Sequence, residues 1–499
     1  MNRSTRRGPA AAIALLLAAV PISAASRQEF TKEFSRTLPL AAPQKLRIEN
    51  SNGDVRVTTH GSGDATIHAA IRVSSSDQEG AEKFAGDIRI EVERNADGIS
   101  VRTVYPRKDW SFRGAGYVSY SVDYEVVMPD TAPLEVRNRF GNVSVANLHA
   151  AGDIRNANGK IEFRSGRGGQ RFENSFGSLT VAGNAGDVSI VNGNGGTSVA
   201  DVDGAVEVES RFGAVDVQHA KRPSRVVNSN GDVTMRDVAG GSTATTSFGK
   251  IEATGIPGDV ALHNSNGAVS ARDVRGTARI DTRFGPVEAS GIGGDAVVED
   301  SNGAITVAGV GGGADLRGSF GSIRATRIGK DAAVAAANAA VTLADVKGDA
   351  RVRTSFGLVD AVRIGGSVTI ENSNGGVHAR TVRGAASVRT SFGPVSLEDI
   401  SGEIEANNQN GSIVARGAEG QCRRVALRSS FGTIRFVLPP DPDYRVEART
   451  SFGRVRSEVP LSGAGGGPTD SSLSGTIGPG RCPLGLTNSN GSIEIVKGR

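Results

Sequence analysis

Between Tyr105 and Tyr117 the chain reads Tyr-Pro-Arg-Lys-Asp-Trp-Ser-Phe-Arg-Gly-Ala-Gly-Tyr, which gathers the only tryptophan of the sequence with three cations and flanking glycines. Aromatic rings beside arginine dominate many protein interfaces, and such rings also stack on sugar faces. Tyr105, Arg107, Trp110, Phe112, Arg113 and Tyr117 are therefore the candidate binding residues. The competing reading is that these rings seal a cap over the first repeat.

Elsewhere, side chains able to do chemistry are scattered. His60, His68, His149, His219, His263 and His378 form no H-E-x-x-H pair and no Cys/His cluster, and neither a G-x-S-x-G elbow nor a P-loop is present. Gly309-Val310-Gly311-Gly312-Gly313-Ala314 fits a loose dinucleotide fingerprint, but it falls on a repeat corner with no helix expected after it. Gly-Asp pairs at Asp187, Asp232, Asp259 and Asp295, with Gly-Lys-Asp ending at Asp331, resemble calcium-binding β-rolls, yet they lack the second glycine and the nine-residue recurrence. They read as turn residues. A row of asparagines (Asn158, Asn230, Asn266, Asn302, Asn374, Asn410) reads as corners satisfying their own backbone rather than as a ligand-facing file. No catalytic residue, cofactor or metal site is assigned.

What positions these residues is a repeat. Taking the glycine of each Asn-Gly or Phe-Gly as origin, it falls at 141, 159, 177, 195, 213, 231, 249, 267, 285, 303 and 321, then Ala339, then 357, 375, 393 and 411. The residue before alternates without a lapse from Phe140, Asn158 and Phe176 to Phe392 and Asn410. Short apolar runs of period two, broken by glycine, are strands and tight turns. A period of eighteen that never drifts predicts one coil turn per unit, each unit stacked on the last. The fold class is all-β: a single-chain β-solenoid of about sixteen 18-residue rungs, with a β-rich N-terminal cap and an irregular C-terminal cap. At about 4.8 Å per rung, sixteen rungs make a rod of roughly 75 Å. A turn of thirty-six residues, stacking Phe on Phe and Asn on Asn, is the competing geometry; eighteen is preferred.

Small residues such as Ala253, Ala289, Ala325 and Ala361 follow the Phe corners, and Met235, Val307 and Leu343 follow Asn corners. This compensation of volume predicts that the Phe rings point inward. Residues 48–55 (IENSNGDV) form one early rung; strands are expected near 64–73, 87–94, 98–104 and 117–127, with a short helix at 77–85. A closing NSNGSIEI run is expected to end the rod. Four segments follow: a signal peptide at 1–24, the N-terminal β cap at 25–137, the solenoid repeats at 138–420, and the C-terminal rungs and cap at 421–499.

Arg3, Arg6 and Arg7, the apolar stretch Ala10 to Val20 and the small residues after it have the form of a secretory signal. A twin-arginine signal fits less well, because Gly8-Pro9 is a poor continuation. Removing the signal takes away three arginines and no acids, so the formal charge of +4 falls to +1. A near-neutral mature chain without a basic tract argues against nucleic-acid binding, and no later apolar run is long enough to span a membrane. Cys422 and Cys482 are the only thiols; in an oxidising compartment they either pair or stay free.

The SNGDVRV phrase, the VDYEVVMPDTAPLEVRNRFGNVSV passage at 122–145, the SNG and SFG rungs and the closing GTIGPGRCPLGLTNSNGSIEI resemble the bacterial putative-adhesin family of exported β-strand-repeat proteins. That resemblance covers nearly the whole mature chain. It implies an exported β-solenoid and suggests adhesion, and it carries no catalytic residues over. The expected function is a non-catalytic structural or adhesive rod, periplasmic or extracellular, meeting glycans or envelope or extracellular proteins. The alternatives are a carbohydrate-active β-helix enzyme of lyase or hydrolase type and an envelope-stress accessory protein. A groove holding a carboxylate or Arg/Lys cluster would favour the enzyme.

Overall fold

The structure is a computed structural model that describes residues 28–106, 118–417, 423–463 and 471–498. Its signature is a β-solenoid of about 17 turns with a spacing of about 18 residues. Each turn carries two strands, as in Val260–Asn266 and Val269–Val274. Through the middle of the rod, from Leu134 to Asn410, strand residues pair in parallel with those eighteen further on: Val260 with Ala278, Val269 with Val287, Asn266 with Phe284. The thirty-six-residue turn is thereby excluded, since Asn stacks on Phe and not on Asn.

Two parallel ladders face each other across a narrow core. Within one strand the inward positions alternate with outward ones, so Val260, Leu262 and Asn264 are buried while His263 is exposed. Large and small inward residues are balanced within a turn, as with Met235 and Ala244, Ala271 and Ile280, and Leu397 and Ala406. Parallel edges leave backbone groups that a single rung cannot satisfy, so each turn depends on its neighbours.

The corner after the first strand needs glycine. Gly267 has φ +151°, and a Cβ there would lie against the carbonyl oxygen of Gly249, far inside van der Waals contact. At this corner the phenylalanines depart from expectation: they point outward. Phe140, Phe176, Phe212, Phe248, Phe284, Phe320, Phe356, Phe392 and Phe431 are 47–56% exposed, and Phe452 more so. Strand parity alone would turn them in. The last inward place, however, is taken two residues earlier by a small polar side chain such as Asn228, Thr246, Asn264 or Thr282, all nearly fully buried. The chain has already left the sheet when it reaches the ring.

Both ends are threaded out of sequence order. Lys45–Asn52 lies between Gly98–Val104 and Leu134–Phe140, so the early rung is not outermost. The final strand Cys482–Asn490 inserts between Val425–Phe431 and Tyr444–Phe452, and Ile493–Lys497 inserts between Ile434–Leu438 and Val455–Ser457. The NSNGSIEI run therefore does not end the rod; the rung built on Tyr444–Phe452 does. Beyond the parallel ladders stand antiparallel strands: Arg89–Asn95 on Gly98–Val104, Gln28–Pro39 on Asp64–Ser75, and Ser472–Ile477 on Tyr444–Phe452. The one helix among the described residues, Gln78–Asp87, buries Ala81, Phe84 and Ala85 and packs on the antiparallel pair Gln28–Pro39 and Asp64–Ser75, with the Phe84 ring 5.1 Å from that of Tyr120.

Candidate functional site

Of the six candidate binding residues only Tyr105 lies among the described residues; Arg107, Trp110, Phe112, Arg113 and Tyr117 fall outside them. Tyr105 is built into the cap. Its hydroxyl donates to Asn50 Oδ1 at 3.0 Å and accepts from the Asn52 amide at 3.2 Å, and its ring lies 5.3 Å from that of Tyr120. Burial pushes its phenol well above the ordinary range. Neighbouring Tyr124, also buried, rises to about 12.

Four of the row's asparagines, Asn158, Asn230, Asn266 and Asn302, bond to backbone, though to the adjacent rung rather than to their own turn. Asn158, Asn230 and Asn302 each donate Nδ2–H to the carbonyl nineteen residues back, those of Arg139, Arg211 and Arg283. A second polar file, hidden three residues before the corner glycine, lies inside the corner. Asn156, Asn174, Asn228, Asn264, Asn372 and Asn408 donate to the glycine carbonyl fifteen residues earlier, at 2.8–3.1 Å. The Gly-Asp carboxylates also tie rungs together: Asp187, Asp259, Asp295 and Asp331 accept the backbone N–H eighteen residues ahead at 2.7–2.9 Å. Among the described residues no group of three or more His, Cys, Asp and Glu converges as a metal site. The Gly309 to Ala314 string runs straight into the strand Ala314–Phe320, without the helix a dinucleotide site needs. Cys482 is disulfide-bonded; Cys422, the other cysteine of the sequence, lies outside the described residues.

A cationic groove runs along the opposite corner of the coil. It encloses about 870 Å³ and runs over four turns beside Arg327, Asp345, Arg363 and Thr381 on one rim, with Lys347 and Arg383 on the other. Buried Val310, Ile328, Val346 and Ile364 with Gly311, Gly329 and Gly365 form its floor. All four cations are exposed. Arg363 donates Nη2–H to Asp345 Oδ2 at 2.8 Å, and that hydrogen bond holds the Asp345 carboxyl below its usual range.

One rim carries an unusual backbone. A column of residues eighteen apart sits in the left-handed region, and most of its members are Gly, Asp, Asn, Ser or His, as at Asp201, His219, Gly255, Gly291 and Gly309. Arg327, Arg363 and Thr381 share it with φ of +56°, +57° and +58°. Long or β-branched side chains pay roughly 1–2 kcal/mol for that conformation, whereas glycine enters it freely. All three line the groove. The signal was present in the sequence: Arg327, Asp345, Arg363 and Thr381 stand at intervals of one period.

No family model and no curated protein sequence matches the chain. Solved structures similar to it include a putative cell adhesion protein from Clostridium sporogenes, 10% identical, covering 47% of this chain and 99% of that one with a TM-score of 0.22. A putative adhesin from Bacteroides fragilis is 13% identical and covers 68% of this chain and 97% of its own, with a TM-score of 0.16. One from Parabacteroides distasonis is 10% identical over 68% and 97%, with a TM-score of 0.18.

Proposed function

We propose that the protein is a non-catalytic, exported β-solenoid that acts as a rigid contact surface in the cell envelope or outside the cell, and that its cationic groove receives an acidic polymer. One observation carries this reading: Arg327, Arg363 and Thr381 are kept in left-handed backbone where Gly291 and Gly309 of the same column show that glycine fits. Strain retained at a surface groove points to use of the side chains there. Four guanidinium and ammonium groups along four turns, some 14 Å, match anionic groups spaced along a chain.

A groove holding an Arg/Lys cluster is also what a polysaccharide-cleaving enzyme would show. Against that reading, the one carboxylate on the groove wall, Asp345, is engaged by Arg363, whose hydrogen bond favours the ionised form, so it is not set up as a carboxylic-acid proton donor. The groove is open and shallow, and no loop is raised over it from the neighbouring turns.

The test is an array of acidic and neutral glycans and extracellular-matrix proteins probed with the mature protein, the Arg327→Ala/Lys347→Ala/Arg363→Ala/Arg383→Ala variant and Trp110→Ala. Binding of acidic glycans that the quadruple variant loses supports the groove. Binding lost only with Trp110→Ala moves the contact to the loop at 105–117. Bond cleavage in the bound glycan would overturn the non-catalytic reading.

A further inference from the structure

The outward phenylalanines form a single file. Ten of the seventeen phenylalanines of the sequence stand on the first corner, from Phe140 to Phe452, one on every second rung. The file survives the out-of-order threading, since Asn490 sits between Phe431 and Phe452 as Asn158 sits between Phe140 and Phe176. Half-exposed rings of about 200 Å² each present roughly 1,000 Å² of aromatic surface. Summed along the file, that matches the roughly 800 Å² each side contributes to a standard interface.

We propose that two copies of the chain associate along this file, antiparallel, about a two-fold axis perpendicular to the rod. Rings recur every two rungs, about 10 Å, over a length of about 90 Å. A ring is about 3.5 Å thick, so each gap admits one further ring. An occupant with any other repeat falls out of step over that length; a second copy carries the same repeat and engages every gap. Its rings come to rest over asparagines whose amides are already fixed by the carbonyls behind them, as Asn230 is by Arg211. This also accounts for the alternation, because phenylalanine on every rung would leave no gap. A parallel two-fold would set ring against ring at equal height, so only the antiparallel arrangement interdigitates. The groove lies at the other corner, and the pair therefore displays one groove on each outer edge, independently of what the groove binds.

Sedimentation equilibrium of the mature protein and of Phe248→Ser/Phe284→Ser/Phe320→Ser tests the association. A dimer in the wild type and a monomer in the variant, with unchanged circular dichroism, are expected. A wild type that stays monomeric at about 100 μM overturns the proposal, because interfaces of this size bind in the micromolar range or tighter. Should the triple variant unfold, single cysteines decide independently. Asn302 is at the middle of the file and Asn158 near one end, so Asn302→Cys cross-links to its own copy on mild oxidation, whereas the two Asn158→Cys positions stand about 70 Å apart. Cross-linking through residue 158 and not 302, or through neither, overturns the antiparallel pair.

Discussion

Asn490 is in register with Phe431 on one side and Phe452 on the other, although it comes after both in the chain. The last rung to be synthesised is thus a wedge between two earlier ones. Deleting residues 482–498 would strip the Tyr444–Phe452 strand of its only parallel neighbour. Limited proteolysis of the truncated chain should cut first within 440–463, while the turns before Phe392 stay protected. Equal protection throughout would contradict the wedge.

The left-handed column separates stability from use. Arg327→Gly removes a bulky residue from φ +56° and should leave the melting temperature unchanged or raise it, by up to about 1 kcal/mol of stability. The same change should weaken retention on an acidic-polymer column. Thermal melts and salt-elution profiles check both halves.

Asp300 occupies the inner polar file where most turns have Asn, Thr or Ser, and it is only 1% exposed. Burial raises its carboxyl to about 6, and Oδ2 has no hydrogen-bond partner. A folded-state value above the unfolded one means that the native state holds the proton more firmly between pH 4 and 6. Stability is therefore lost as pH rises through that window and stays lower above it. Asp300→Asn can donate to the Gly285 carbonyl as Asn264 donates to Gly249, so it should gain about 2–3 kcal/mol at pH 7 and flatten that slope. Denaturant melts from pH 4 to 8 measure it.

Asn408 is fully buried and donates to the Gly393 carbonyl at 2.8 Å. Asn408→Ala leaves that carbonyl without its donor and should cost about 1–3 kcal/mol. Asn408→Thr should cost less, because Thr246 makes the equivalent bond to Gly231. Hydrogen exchange at residues 393 and 411 resolves the local effect, which a global melt of a repeat protein would blur.

The coil and its period were legible in the sequence because glycine holds one corner of nearly every turn and recurs every eighteen residues, as at Gly249, Gly267 and Gly285, with Ala339 standing in once. The direction of Phe248 was not. A parity count places it inward, and only the buried Thr246 beside the turn shows that the interior is already full. The threading of Cys482–Asn490 was equally hidden, since identical phrases do not state which copy lies beside which. Arg327 and Arg363 were discoverable as a periodic pair, but their φ values and common groove depend on the left-handed backbone at the second corner.

Alternation also constrains how such a molecule can change size. Excising eighteen residues would bring two aromatic corners, or two asparagine corners, onto adjacent turns and spoil the spacing of the file, whereas excising thirty-six removes one Phe and one Asn corner together. Length in this architecture is quantised in pairs of turns, about 10 Å at a time.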